Sequence, residues 1–324
     1  LSHRSGFIAA GLAGVLIIAV PFVHNSYLTG TMVLVSQNAL AALGLGLLIG
    51  TARVVSVAQA AFFGVGAYAA VAASSRGVDP WLSFVVSIVV VAAIATIVGW
   101  PVLRLRGHYI TLATLALGYI AMVTFNEAGG ITGGPSGFGT FPPLHWGAQA
   151  LSGDLPAYVL GWLAVALGAA IVYLIRNSAR GRALRAIAAS ETAAAAMGVK
   201  VRARKLEAFV LSAVYAGVAG ALYAYYVGYI SPVSFSFDQS IYFIIMVVLG
   251  GSATTLGPIV GAVLFSLISA ALTQVASVAF PSNAQSAAAA LQVIAFGLIL
   301  IGVIRFLPGG IVNTIALRFG RNSA

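Results

Sequence analysis

From residue 7 to residue 304 the chain is a succession of apolar runs of bilayer-crossing length, most of them separated by short polar links. A helix needs about 20 apolar residues to cross a hydrocarbon layer, and inside that layer every backbone N–H and C=O must be satisfied within the protein. Repeated runs of this kind leave few choices of fold: an all-α, polytopic transmembrane helical bundle. Hydrophobic residues make up 61% of the 324 and charged residues 7%, against roughly 25% charged in a soluble domain. No stretch is polar and long enough to fold apart from the membrane, so residues 1–324 are read as a single transmembrane domain.

About ten spans are expected, near 7–23, 27–50, 54–74, 81–103, 107–125, 156–175, 206–228, 239–256, 257–273 and 287–304. The eighth and ninth run together, punctuated by Gly250, Gly251, Gly257 and Pro258, and read either as two spans or as one broken, re-entrant segment. Residues 7–23 follow Arg4 without a small-x-small cleavage site and are read as a retained span. Lys and Arg in short loops mark the cytoplasmic side. If residues 176–205 are inside, alternation also places Arg4, Arg53, Arg104, Arg106, Arg305, Arg318 and Arg321 inside and only Arg76 outside. Both termini are then cytoplasmic and the long loop 126–155 is external. The net charge of +10 is accounted for by these flanking residues; no aromatic-interleaved basic face points to nucleic acid.

One polar island interrupts the oil. Arg180, Arg182, Arg185, Lys200, Arg202, Arg204 and Lys205 surround the segment "SETAAAAMG". Ser190 suits a helix N-cap, Glu191 suits the first turn beside the positive end of the helix dipole, and Gly198 supplies a stop. The result is a helix of about two turns, roughly 10 Å long, too short to hold itself in water. It needs a brace. The segment reads either as a solvated loop that enforces topology or as a docking helix whose alanines, Ala194 and Ala195 among them, allow close approach to a partner.

Within the spans, Gly64 and Gly66 in one half and Gly250 and Gly251 in the other occupy corresponding places if spans two to five and seven to ten form inverted repeats. They are pathway candidates or close-packing positions. Thr111 and Thr114 form a small polar stripe with Gly107 and Gly118; Asn38, Ser56, Gln59 and Gln37 are further intramembrane polar groups that need partners. The external loop carries Phe138, Phe141 and Trp146 and reads either as an irregular connector or, from its length and aromatics, as a docking surface for a soluble partner. Only six acids exist, none paired mid-span, which argues against a proton-coupled carrier. The four histidines show no metal-ligand spacing, there is no cysteine, and no serine lies in a nucleophile-elbow setting. No G-x-x-x-x-G-K-[ST] phosphate loop occurs either.

The stretch "GRALRAIAASETAAAAMGVKVRARKLEAFVLSAVYAGVAGALYA" resembles the cytoplasmic loop and next span of LivM-type permeases of branched-chain amino acid ABC importers. In order, "AAFFGVGAYAA", "LRLRGHYITLATLALGYI", "ITGGPSGF" and "ISPVSFSFDQSIYFIIMVVLGG" agree, so the resemblance covers about 38–310. It implies a type II ABC importer-like permease in a bacterial inner membrane. Residues 176–205 would be the coupling loop, with Arg182, Ser190, Glu191, Ala194, Ala195 and Gly198 at the ATPase. The implied partners are a second homologous permease in a heterodimer, two ABC ATPase subunits and a periplasmic or extracellular binding protein. The chain itself would hold no cofactor; ATP and Mg would be used by the partner subunits. Many family members have acids where this chain has His108 and Tyr119, a histidine at Gln59, and a run ending in asparagine where Ala42 to Gly46 ends in glycine. Tyr119 joins the pathway candidates. The solute is expected to be a branched-chain amino acid or a related small polar or amphipathic molecule. An ATP-independent carrier or channel and an intramembrane enzyme are the other classes considered.

Overall fold

Two helices form the axis of the bundle: α1 (Ser26–Ala52) and, far along the chain, α8 (Val201–Val227). In their apolar windows 78% and 61% of residues are buried by other parts of the chain. Around them lie α2 (Gln59–Ser74), α3 (Pro80–Val102), α4 (His108–Glu127), α5 (Asp154–Asn177), α9 (Phe237–Gly250), α10 (Gly257–Ala279) and α11 (Ala284–Phe306). Two short helices, α6 (Ala179–Ala189) and α7 (Glu191–Ala196), fill the polar island. This is a computed structural model that describes residues 26–105, 107–139, 141–146, 149–150, 153–307, 309–312 and 314. The expected first span at 7–23, with Arg4, Arg106, Arg318 and Arg321, lies outside the described residues.

Among the described residues eight helical segments are long and apolar enough to cross a membrane, and α2 is a shorter ninth. The boundaries follow local chemistry. Asp79 accepts a hydrogen bond from the Trp81 amide at 2.9 Å and Pro80 opens the first turn of α3, as N-cap rules require. Gly228, at φ 72°, closes α8. The described strands are a two-residue antiparallel ladder, His145–Trp146 against Gln149–Ala150, inside the 126–155 loop.

α8 packs on α1, α2 and α3, while α1 also packs on α5 and α10. The residues expected as the eighth and ninth spans form two antiparallel helices, α9 and α10, with Gly251 at φ 98° opening the turn between them. Their crossing is tight: a Cβ on Gly250 would lie 1.8 Å from the Gly257 carbonyl oxygen, and one on Gly261 would lie 1.8 Å from that of Met246. The α9 helix has 14 residues, about 21 Å of rise, and completes its crossing only with the 3-10 turn Pro232–Phe235 that precedes it.

All the described island residues lie at one end of the bundle. Arg53 shares a cavity there with Glu191 and Lys205, Arg104 stacks on Trp100 beside the island, and Arg176 reaches the α9–α10 turn. Arg76 follows α2 at the opposite end, with the loop 126–155.

Candidate functional site

At the island end α7 is a short, fully capped helix. The Ser190 hydroxyl accepts the Ala193 N–H at 3.3 Å. At the other terminus Gly198 adopts φ 80°; its N–H donates to Ala195 and the Val199 N–H donates to Ala194, each at 3.0 Å. These two bonds make a Schellman stop, which only a residue comfortable at positive φ permits at low cost. The sequence supplies both caps, and the brace comes from tertiary structure. Ala194 turns inward and is 3% exposed. Glu191 reaches back to Lys205 of α8, Nζ to Oε1 2.5 Å, and the Lys205 side chain is only 6% exposed. Thr192, Ala193, Ala195, Ala196 and Met197 are left outward, Met197 at 85% exposure.

Glu191 therefore spends its charge inside the chain. Lys205, grouped by the sequence with the solvated basic run, is the buried half of that pair. The arginines of α6 also turn back toward the bundle: Arg182 donates to the Asn177 carbonyl and Arg185 to that of Arg176, at 3.3 and 2.7 Å. Arg176 in turn donates to three carbonyls, Ala253 at 2.6 Å, Ser252 at 2.8 Å and Gly46 at 3.3 Å. One guanidinium thus fastens the base of the island to α1 and to the α9–α10 turn.

A second feature lies deeper. Residues 53–58, expected as the first turns of a span, are not helical. The chain enters the bundle as irregular backbone before α2 begins, with Arg53 at φ 50° just past the end of α1. A helix break buried inside the bundle leaves backbone groups that only the protein can satisfy. The polar stripe of α4 supplies partners: the Val57 N–H donates to the Thr114 hydroxyl at 3.1 Å, and the Thr111 hydroxyl donates to the Val55 carbonyl at 3.3 Å. The Ser56 hydroxyl accepts from the Ala58 N–H at 3.4 Å, and Ser240 of α9 accepts from Ala60 at 3.0 Å. Gln59 closes the arrangement. Its Nε2 donates to the carbonyls of Ala41 and Ser212 at 3.0 and 3.2 Å, and its Oε1 accepts from the Ser212 hydroxyl at 3.3 Å. Ser56, Gln59 and Thr114 are each 1% exposed or less.

The remaining candidates separate by position. A Cβ on Gly66 would lie 2.2 Å from the Gly217 carbonyl oxygen, and one on Gly64 would enter the rings of Phe125 and Phe235, so both stand at close helix approaches. Gly250 stands at the α9–α10 crossing, and Gly251 opens that turn against Gly309. Asn38 is half-buried and accepts from Gln239 at 3.3 Å. Tyr119 is 65% exposed on the outer face of α4. Ser212 and Ser240 did not stand out in the sequence, and Lys205 did so only as one of the island's basic residues, since nothing in their own neighbourhood announces the distant group each one meets.

The long loop at the opposite end is pinned down. Phe138 and Ile230 exchange backbone hydrogen bonds at 2.8 and 2.9 Å, the Trp81 indole donates to the His145 carbonyl at 2.8 Å, and Phe141 packs its edge against Tyr225. Among the described residues no three His, Asp or Glu side chains gather where a metal ion could be held.

Residues 27–304 match the family model described as the branched-chain amino acid transport system permease component. The chain belongs to this permease family. The high-affinity branched-chain amino acid transport system permease protein LivM of Escherichia coli is 30% identical over 274 residues, 77% of this chain and 64% of that protein. Salmonella typhimurium LivM is 30% identical over 68% of this chain and 58% of its own length. The fructose import permease protein FruF of Bifidobacterium longum is 26% identical over 70% of this chain and 65% of its own. The permease thus spans less than two thirds of the two LivM proteins. No solved structure matches it. The matched region takes in the island, the broken α1–α2 connection and the pinned loop alike, so all three are features of a permease.

Proposed function

We propose that the permease is the translocation subunit of a binding-protein-dependent ABC importer that moves branched-chain amino acids or a related small polar or amphipathic solute. The observation that carries this reading is the form of α7: capped at both ends, tied inward by Ala194 and by Glu191 to Lys205, with a small-residue face left outward. A helix held so firmly on one side can transmit a push from the other. In the chain's own terms the push passes through Lys205 into the axial helix α8, and through Arg185 and Arg176 into α5 and the α9–α10 turn.

In this reading two ATPase subunits grip the outward face of α7 and use ATP and Mg, and their closure shifts the peg. The excess of Arg and Lys at the island end supports a cytoplasmic location for it, and for both termini, in a bacterial inner membrane. A second, homologous permease completes the pathway, with the sparsely covered α4 supplying Thr111 and Tyr119 to it. A soluble receptor docks on the pinned loop 126–155. Selection of the solute resides mainly in that receptor, since relatives of similar identity are named for branched-chain amino acids and for fructose.

The test is a reconstituted transporter carrying Ala195→Trp, a substitution on the exposed face of α7. Receptor-stimulated ATP hydrolysis and uptake are expected to fall together while membrane insertion is retained. Uptake that persists unchanged, or that needs no ATPase subunit, would refute the reading.

A further inference from the structure

At the island end a crevice of about 590 Å³ opens between α3, α6 and α8. That volume lies within the roughly 300–1,000 Å³ typical of small-molecule sites. Its floor is Leu47 of α1, and its walls are apolar: Trp100 of α3, Leu184 of α6, and Leu206, Val210 and Leu211 of α8. Polar groups sit at the mouth. Glu207 is already neutralised by Arg204, at 2.7 and 3.0 Å. Arg180, which lines the crevice, has no hydrogen-bond or ion-pair partner among the described residues, and Arg104 lies over the Trp100 ring at 5.7 Å. Trp100 itself is 55% exposed near the end of a helix of spanning length, and exposed tryptophans at such helix ends favour the boundary between oil and headgroup.

We infer that this crevice seats one acyl chain of an anionic phospholipid, its phosphate held between Arg180 and Arg104. The two halves of the site demand a ligand with both characters. The walls include the exposed Thr96 and Trp100 of α3, a surface where a free metabolite anion gains nothing from burial; Arg180 lines the crevice, Arg104 stands over the Trp100 wall, and the one carboxylate in the lining, Glu207, is already paired. Basic pockets between spanning helices are where lipid headgroups bind. The seat borrows Arg180 and Leu184 from α6, the helix that leads into α7, so an occupied crevice stiffens the base of the peg. The inference stands apart from the importer reading, because lipid binding requires neither an ATPase nor a solute.

The test uses the full chain purified in detergent and titrated with phosphatidylglycerol or with phosphatidylcholine of the same acyl chains, bound lipids being counted by native mass spectrometry. One phosphatidylglycerol is expected to be retained in preference. Arg180→Gln and Arg104→Gln should each lower that preference about five-fold, and the pair on the order of 20-fold, as expected for single basic contacts to an anionic headgroup. Arg76→Gln, at the opposite end, should leave it unchanged. Thr96→Phe narrows the crevice from an exposed position on its rim and should abolish the retained lipid without loss of folding. An unaltered preference in the double arginine variant, an equal loss in Arg76→Gln, or full retention in Thr96→Phe would each overturn the assignment. So would displacement of the lipid by inorganic phosphate alone, which would make the arginines a site for free anions.

Discussion

The Glu191–Lys205 pair makes an asymmetric prediction. The Glu191 side chain is half exposed and that of Lys205 is 6% exposed, so the two members lose different amounts when separated. Removing the anion with Glu191→Gln strands an ammonium with almost no water. A fully buried ion pair broken in this way costs about 3–5 kcal/mol; with one partner half in water the figure discounts to about 2 kcal/mol. Removing the cation with Lys205→Met keeps the aliphatic stem and releases a carboxylate that water already reaches, at a cost near 0.5–1 kcal/mol. The double variant should stand close to Lys205→Met alone, giving a coupling energy of about 2 kcal/mol in magnitude in a double-mutant cycle. Thermal unfolding in detergent supplies the energies, and amide exchange over residues 191–199 locates them. Equal losses in the two single variants, or strict additivity in the double, would refute the claim that this pair braces α7.

Thr114→Val keeps shape and removes the acceptor for the Val57 N–H, leaving a donor buried in the bundle unpaired. It should cost about 1–3 kcal/mol in thermal unfolding, whereas Thr96→Val, whose hydroxyl bonds only to its own exposed helix, should change stability by less than about 0.5 kcal/mol. Gly66→Val drives a side chain into the Gly217 backbone and should cost about 3 kcal/mol or more, seen as lost monodisperse protein on size exclusion. Gly302→Ala, with open space around it, should instead be neutral or stabilising by up to about 1 kcal/mol. Arg176→Met removes the donor from three carbonyls and should speed amide exchange across residues 251–256 before any other part of the bundle loosens.

Apolar length was enough to read the helices of the bundle and their rough ends, because the hydrocarbon layer permits little else. It was not enough at residues 53–58. "RVVSVA" is as apolar as a helical turn, and what satisfies its backbone outside a helix is the pair Thr111 and Thr114, more than fifty residues away. The caps of α7 were legible because Ser190 and Gly198 act on their own neighbours. The fate of Glu191 was not, since a carboxylate in a first turn looks the same whether it faces solvent or a lysine 14 residues on. The glycine pairs show the same division: a sequence marks Gly66 as small, and only the fold shows that Gly217 is what it must let through.

The peg and the broken helix are neighbours. A cavity of about 400 Å³ lies between them, with Arg53, Val55 and Thr111 on one side and Ala188, Glu191 and Lys205 on the other. A push on α7 toward the bundle would close this space and press on the non-helical segment 53–58. There the backbone is held by side-chain hydroxyls instead of a continuous helical ladder, so it can exchange partners without unwinding a helix. Rigid helices would pass the same push on only as a whole-body tilt. If the space is needed for the stroke, filling it should stop transport without harming the fold. Ala188→Phe places a ring in the cavity from a half-buried position on α6. Thermal stability should stay within about 1 kcal/mol of the parent, since the ring fills a void and displaces no packed side chain. ATP-driven uptake should fall at least ten-fold in the same preparation. A variant that unfolds early would show that the cavity is already occupied, and one that folds and transports normally would show that the stroke does not pass through it.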